Sequence, residues 1–318
     1  MGRKVCKKFL TRVLCLMTVL LTVGSGLGQA QAAEIISSGI NWMTTEEEGI
    51  LPGVVEVPIL MYHNLTAEEN DPAISKDTMW VGQFRRQMEM LKENGFQAIS
   101  LGQLFALVEQ GKALPEKPVL LTFDDGYSSV YELAFPILQE MEMPAVVFPI
   151  GISVGKDTYK DTNIPMTPHF DWGQAKEMVD SGLISIQSHT YDLHQKPEYE
   201  LASGQSQIRP NALRQPWETE EEYAKALATD LILSKVGIET ATEQKVVALA
   251  YPGGMHDDLS EKLVTSNGIK CTFTTEPGKA QVRPGCPESL FSLNRFYVQP
   301  STTDEELLKW VSEKKFIF

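Results

Sequence analysis

The sequence predicts an α/β fold, a distorted or incomplete (β/α) barrel built on a mostly parallel sheet. Short apolar runs alternate with amphipathic segments from residue 57 to the end, which is the pattern of strand–helix units. The runs are apolar on both faces, as buried parallel strands are. About seven or eight such units in roughly 260 residues match the size of a β/α barrel, with an open doubly wound sheet as the alternative.

Taken in order, "VPILMYH" (57–63) reads as a strand and "VGQFRRQMEMLKENG" (81–95) as a helix closed by Gly95. "FQAIS" is a short strand, and "LGQLFALVEQG" is the helix after it. "KPVLLTFDD" leads to the helix "SSVYELAFPILQEM", and "PAVVFPI" to "DWGQAKEMVDSG". "LISIQSH" precedes a long polar insertion around 195–217 and the helix "ETEEEYAKALATDLILSKVG". "KVVALAYP", the helix "DDLSEKLVTSNG", the strand "CTFTT", "LFSLNRFYV" and the helix "DEELLKWVSEK" complete the chain. No repeat or low-complexity tract interrupts this order.

The first residues read as targeting rather than fold. Arg3, Lys4, Lys7, Lys8 and Arg12 precede the apolar "VLCLMTVLLTVG", and "AQA" at Ala30–Ala32 offers small residues for cleavage. This predicts a signal peptide over 1–32, a leader over 33–53 and one domain over 54–318, in a protein secreted or held at the cell surface. An uncleaved anchor is the alternative for that segment, and no other stretch is long and apolar enough to cross a bilayer. The net charge is −14 before the basic leader is removed, which argues against nucleic acid or anionic membrane as partners. Cys271 and Cys286 remain beyond the signal. They could form a disulfide, or Cys271 could be a buried thiol in its apolar run.

The chemistry gathers at strand ends. His63 ends the first run, Asp124 and Asp125 end "PVLLTFDD", His189 ends "ISIQSH" and Tyr251 ends "VVALAYP". The carboxyl ends of strands are the rim where barrels and open α/β sheets carry their sites. Asp-Asp-Gly on its own is also good turn chemistry for a solvated loop. Beside "SHTYDLH", with His189, Asp192 and His194, the carboxylates become candidate ligands for zinc, or for cobalt, nickel or iron. Residues five apart on a regular helix diverge by about 140°. His189 and His194 can therefore share an ion only across a turn or distorted helix, and Asp192 is the alternative third ligand.

These motifs resemble the polysaccharide deacetylases of carbohydrate esterase family 4, the NodB homology domain. "TFDDGY" (122–127) matches the first motif, "SHTYDLH" (188–194) the second and "AYPGG" (250–254) the third more loosely. The "VPILMYHNL" start and "LNRFYV" also look like the family, and the histidine spacing is like its poly-N-acetylglucosamine deacetylase branch. The resemblance spans about residues 54–315.

It implies hydrolysis of acetamides on an N-acetylated polysaccharide, with Asp124 as general base and Asp125, His189 and His194 as metal ligands. It also implies His63 as general acid, because Arg295 in "LNR" holds the place of the family's usual histidine acid. Tyr251, Gly253 and Arg295 fall on the substrate and oxyanion side. The arginine usual in the third motif is missing, so Arg295 is the candidate charge partner of the base; Gly253 replaces an aromatic and leaves room for sugar. Tyr127, Tyr191 and Trp172 could stack on sugar rings, although such aromatics commonly sit in cores. Two other readings keep the fold: a glycan-binding module with a degraded site, and an O-acetyl xylan esterase.

Overall fold

A computed structural model describes residues 53–313. The expected signal peptide and almost all of the leader lie outside those residues. The strands and helices, in chain order, begin with β1 (Val55–Val57), β2 (Ile59–Tyr62), β3 (Asn64–Thr66), β4 (Thr78–Trp80), α1 (Val81–Glu93), β5 (Gln97–Ala98) and α2 (Leu101–Gln110). Next come β6 (Pro118–Asp125), α3 (Phe135–Met141), β7 (Ala145–Pro149), α4 (Trp172–Asp180), β8 (Ile184–Ile186), α5 (Pro197–Ala202) and α6 (Glu220–Thr242). β9 (Ala248–Ala250), α7 (Asp258–Ser266), β10 (Cys271–Phe273), β11 (Ala280–Val282), β12 (Phe296–Tyr297) and α8 (Asp304–Ser312) finish the domain. No helix among the described residues is long and apolar enough to cross a membrane.

The central sheet runs β12–β2–β6–β7–β8, with β5 also on β6, and every one of these pairings is parallel. β9 and β10 form a further parallel pair. Single bridges join Ser188 to Leu249 and Phe273 to Leu293. The 293–297 stretch thus touches β10 on one side and β2 on the other, so the sheet curls into a distorted, incomplete barrel. Antiparallel pairing appears between β1 and β11, a strand the apolar pattern does not reveal because Gln281 is exposed.

β6 explains the layering. All eight of its residues are buried, and alternation sends them to two sides. Val119, Leu121 and Phe123 join the large cluster under α1, α3, α4, α6, α7 and α8. Leu120 joins the opposite cluster with Val146, Phe148, Ala250, Phe273 and Leu293, covered by Leu104 and Leu107 of α2. Thr122 and Asp124 continue the side of Leu120.

Two expected elements differ in detail. The helix after β6 opens as a wide π turn over Val130–Ala134, because Pro136 has no N–H to donate back into a regular first turn. The polar insertion after "SHTYDLH" contains the short helix α5, opened by Pro197. Cys271 is a buried free thiol, its pKa pushed up by burial.

Candidate active site

The opening of the site is the end of β6. By alternation Asp125 should face the helices, away from Asp124. Instead its φ is +69°, a left-handed conformation for a non-glycine residue, and Gly126 follows at +86°. Such a conformation costs about 1–3 kcal/mol, and it breaks the alternation just where both carboxylates meet the rim. Gly126 is required there because a Cβ would lie 2.6 Å from Pro149 Cβ. The break begins one residue earlier than the glycine alone suggests. The Ile150 N–H donates to Asp125 O at 3.0 Å and the Phe170 N–H to Gly126 O at 3.2 Å, so neighbouring chain holds the turn.

Asp124 is 2% exposed and Arg295 is fully buried. Their side chains meet in a bidentate pair, Nη1 to Oδ1 and Nη2 to Oδ2, both 2.7 Å. Arg295 also donates from Nε to Thr274 O at 2.8 Å, and its guanidinium lies 5.9 Å from the Phe148 ring and 5.8 Å from that of Phe273. Burial pushes the Asp124 carboxyl up; Arg295, helped by His189 and His63, outweighs burial and holds it below the usual carboxylate value.

The residues after β8 form a turn, not a regular helix. Thr190 has φ +71°, and the buried Asp230 of α6 accepts the Tyr191 and Asp192 N–H groups, each at 2.7 Å. Burial pushes the Asp230 carboxyl up to about 6 despite those bonds. This turn swings His194 back toward His189, whose rings are 5.2 Å apart at 79°. His189 Nε2 lies 3.4 Å and His194 Nε2 3.6 Å from Asp125 Oδ1.

A divalent metal is what the resemblance implies for this spot, and the donor set fits one. Ligand atoms of Asp125, His189 and His194 all lie within 4.8 Å of one another. Asp125 Oδ1 is buried and, among the described residues, accepts no hydrogen bond of normal geometry. His189 Nδ1 sits 2.8 Å from Ala250 O; a carbonyl only accepts, so Nδ1 carries a proton and Nε2 is the nitrogen turned toward Asp125. Burial lowers the His194 pKa, which favours the neutral imidazole a ligand must be. Asp192, the alternative ligand, is outside the donor group and engaged by other partners: its Oδ2 accepts from Lys160 Nζ at 2.8 Å and Gln195 Nε2 at 3.0 Å.

His63 lies between β2 and β3, with its ring 5.0 Å from that of Tyr297. It is near enough to Asp124 and Asp125 to lower both carboxyl pKa values, and its buried Nδ1 has no hydrogen-bond partner among the described residues. Tyr251 ends β9 beside β8, but its N–H donates to Phe273 O at 3.0 Å and its buried ring stacks on His256 at 5.1 Å. That N–H is therefore taken by the sheet. Gly253, exposed in the following turn with φ +61°, is the open backbone of that corner. Arg295 needs a correction: full burial behind Asp124 keeps it from touching a substrate, so its place is that of charge partner alone.

Trp172 packs against the core, whereas Tyr127 lines a cleft beside Asp125 and His194. Asp230 escaped sequence reasoning, although one acid among Tyr223, Leu227, Leu231 and Ile238 on the buried stripe of α6 was a usable signal. His169 also lines that cleft, with its ring 5.0 Å from Tyr127; nothing in its sequence context marks it.

The polysaccharide deacetylase family model matches residues 111–272, about half of the chain. The Bacillus subtilis protein YxkH is 28% identical over 274 residues, covering 86% of this chain and 80% of that protein. A poly-beta-1,6-N-acetyl-D-glucosamine N-deacetylase of Escherichia coli is 29% identical over 70% of this chain, which spans 34% of that longer protein. Among solved structures, a de-N-acetylase from Aggregatibacter actinomycetemcomitans superposes with a TM-score of 0.67 at 25% identity, over 80% of this chain and all of that one.

Proposed function

We propose that this chain, which belongs to the polysaccharide deacetylase family, is an exported, metal-dependent hydrolase that removes acetyl groups from N-acetylglucosamine polymers. The names of the Escherichia coli and Aggregatibacter relatives support that substrate and reaction. The observation that carries the proposal is the division of labour between adjacent carboxylates. Asp124 is locked to Arg295, and Asp125 shares a gap with two imidazoles.

In this reading Asp125, His189 and His194 hold a divalent ion, which when bound supplies Lewis acidity at the acetamide carbonyl and lowers the pKa of water. Asp124, kept ionised by Arg295, takes the proton from the attacking water as general base. His63, close to both carboxylates, returns a proton to the departing amine. The exposed peptide at Gly253 is the candidate backbone donor for charge growing on the carbonyl oxygen. Arg295, paired with Asp124, can take the part of the arginine missing from "AYPGG", which supports an active enzyme over a degraded binding module.

The test is acetate release from N-acetylglucosamine oligomers, peptidoglycan and O-acetylated xylan, with and without a chelator. Acetate should come from the N-acetylated substrates, stop with chelator and return with zinc or cobalt. Release from xylan alone would make the protein an esterase. Glycan binding without any release would make it a binding module.

A further inference from the structure

Every N–H from His189 to Leu193 donates a hydrogen bond. His189 gives its own to Pro149 O at 3.2 Å, Thr190 to Ser188 Oγ at 3.0 Å and Leu193 to Thr190 Oγ1 at 3.2 Å. Tyr191 and Asp192 both give theirs to Asp230 on α6. The carbonyls of Thr190 and Tyr191 accept from Gly151 and Ile152, just after β7, at 3.0 and 2.9 Å. Ser188 is in turn paired through its hydroxyl with Ser234 Oγ at 2.8 Å. Asp230 and Ser234 stand four residues apart on one face of α6, so the helix grips the histidine-bearing turn at two points.

Asp230 is 6% exposed, and among the described residues its carboxylate accepts only those two N–H groups. The charges that reach it are otherwise committed: Arg209 pairs with Glu218, and Asp192 with Lys160, which also pairs with Glu200 of α5. A buried carboxylate without a bonded cation costs stability. Leu227 and Leu231, on the same buried stripe, are what packing alone would select. What aspartate adds is a pair of charge-assisted acceptors, each 2.7 Å from one of two successive amides. They pin the chain immediately after Thr190, a β-branched residue in the left-handed region at φ +71°. That reversal brings the ring of His194 to 5.2 Å from that of His189.

We propose that Asp230 is a positioning residue of the metal centre, holding the turn in the form in which both imidazoles converge on Asp125 and so setting metal affinity without touching the ion. Ser234 assists from the other end of the turn. The inference rests on the metal reading of Asp125, His189 and His194. It goes beyond that reading by placing part of the affinity on α6, which supplies no ligand.

Zinc titration of the metal-free full chain measures this without turnover. Asp230→Asn offers one oxygen for two amides and should weaken zinc binding roughly 10- to 100-fold, the range for residues that orient ligands. Amide hydrogen exchange at Tyr191 and Asp192 should quicken in the same variant. Ile238→Val, about 12 Å further along α6, should lower the unfolding midpoint and leave zinc affinity within about twofold. That contrast separates positioning from a general loosening of the helix. Ser234→Ala should weaken zinc binding roughly 2- to 10-fold, the worth of one hydrogen bond, and it decides the matter if Asp230→Asn does not fold.

Zinc affinity within about twofold of wild type in Asp230→Asn, or in Ser234→Ala should the first not fold, overturns the inference and leaves the metal reading standing. Weaker binding with unchanged exchange at Tyr191 and Asp192 also overturns it, because Asp230 would then act through its charge alone. A wild type that binds no zinc removes both the metal reading and the inference built on it.

Discussion

Asp124→Asn should lower acetate release by roughly 10²–10⁴-fold, the usual effect of losing a general base, while divalent metal still binds. Asparagine keeps the side chain's shape and one oxygen for the Arg295 fork. What it loses is the negative charge that could accept a proton from water. The Asp125, His189 and His194 donors are untouched by the change. Turnover and metal stoichiometry measured on the same preparation check both halves, and near wild-type turnover would place the base elsewhere.

Arg295→Met should be the most destabilising single substitution at the site, costing about 3–5 kcal/mol, because it strands a buried carboxylate without its cation. The midpoint of denaturant unfolding reads this directly. Asp124 has its carboxyl held below the ordinary value in the folded protein. The pair's contribution is therefore present above the unfolded carboxyl pKa, and it fades as pH falls through the lower folded one. The gap between wild type and Arg295→Met should accordingly be widest near neutral pH and shrink below about pH 4. Adding Asp124→Asn to Arg295→Met should recover part of the loss, since it removes the stranded charge. A double variant less stable than the single one would mean that Arg295 acts mainly by packing between Phe148 and Phe273.

The parallel sheet was legible because its strands are short apolar runs with chemistry at their carboxyl ends, a pattern carried by single segments such as "PVLLTFDD". The donor trio was legible for the same reason: Asp125 closes β6, and His189 and His194 lie in the turn after β8. Arg295 was only half legible. Its partner is 171 positions away, and only the curl of the sheet, which brings 293–297 against both β10 and β2, carries it behind Asp124. The left-handed turn at Asp125 was hidden because aspartate does not announce a positive φ as glycine does. Asp230, Lys160 and Glu200 sit among many acids and lysines, and their meaning depends on burial that no local pattern reports.

The central claim, that Asp125, His189 and His194 together hold one divalent ion, is tested most directly by titrating zinc or cobalt into wild type, His194→Ala and Asp192→Ala. One ion should bind the wild type. His194→Ala should weaken it by more than about 100-fold, beyond the roughly 10–100-fold effect of a residue acting only on a ligand's orientation, whereas Asp192→Ala should leave the affinity within about twofold, the scale of exposed charge effects. Unchanged affinity in His194→Ala, or loss of the ion in Asp192→Ala alone, would contradict the account.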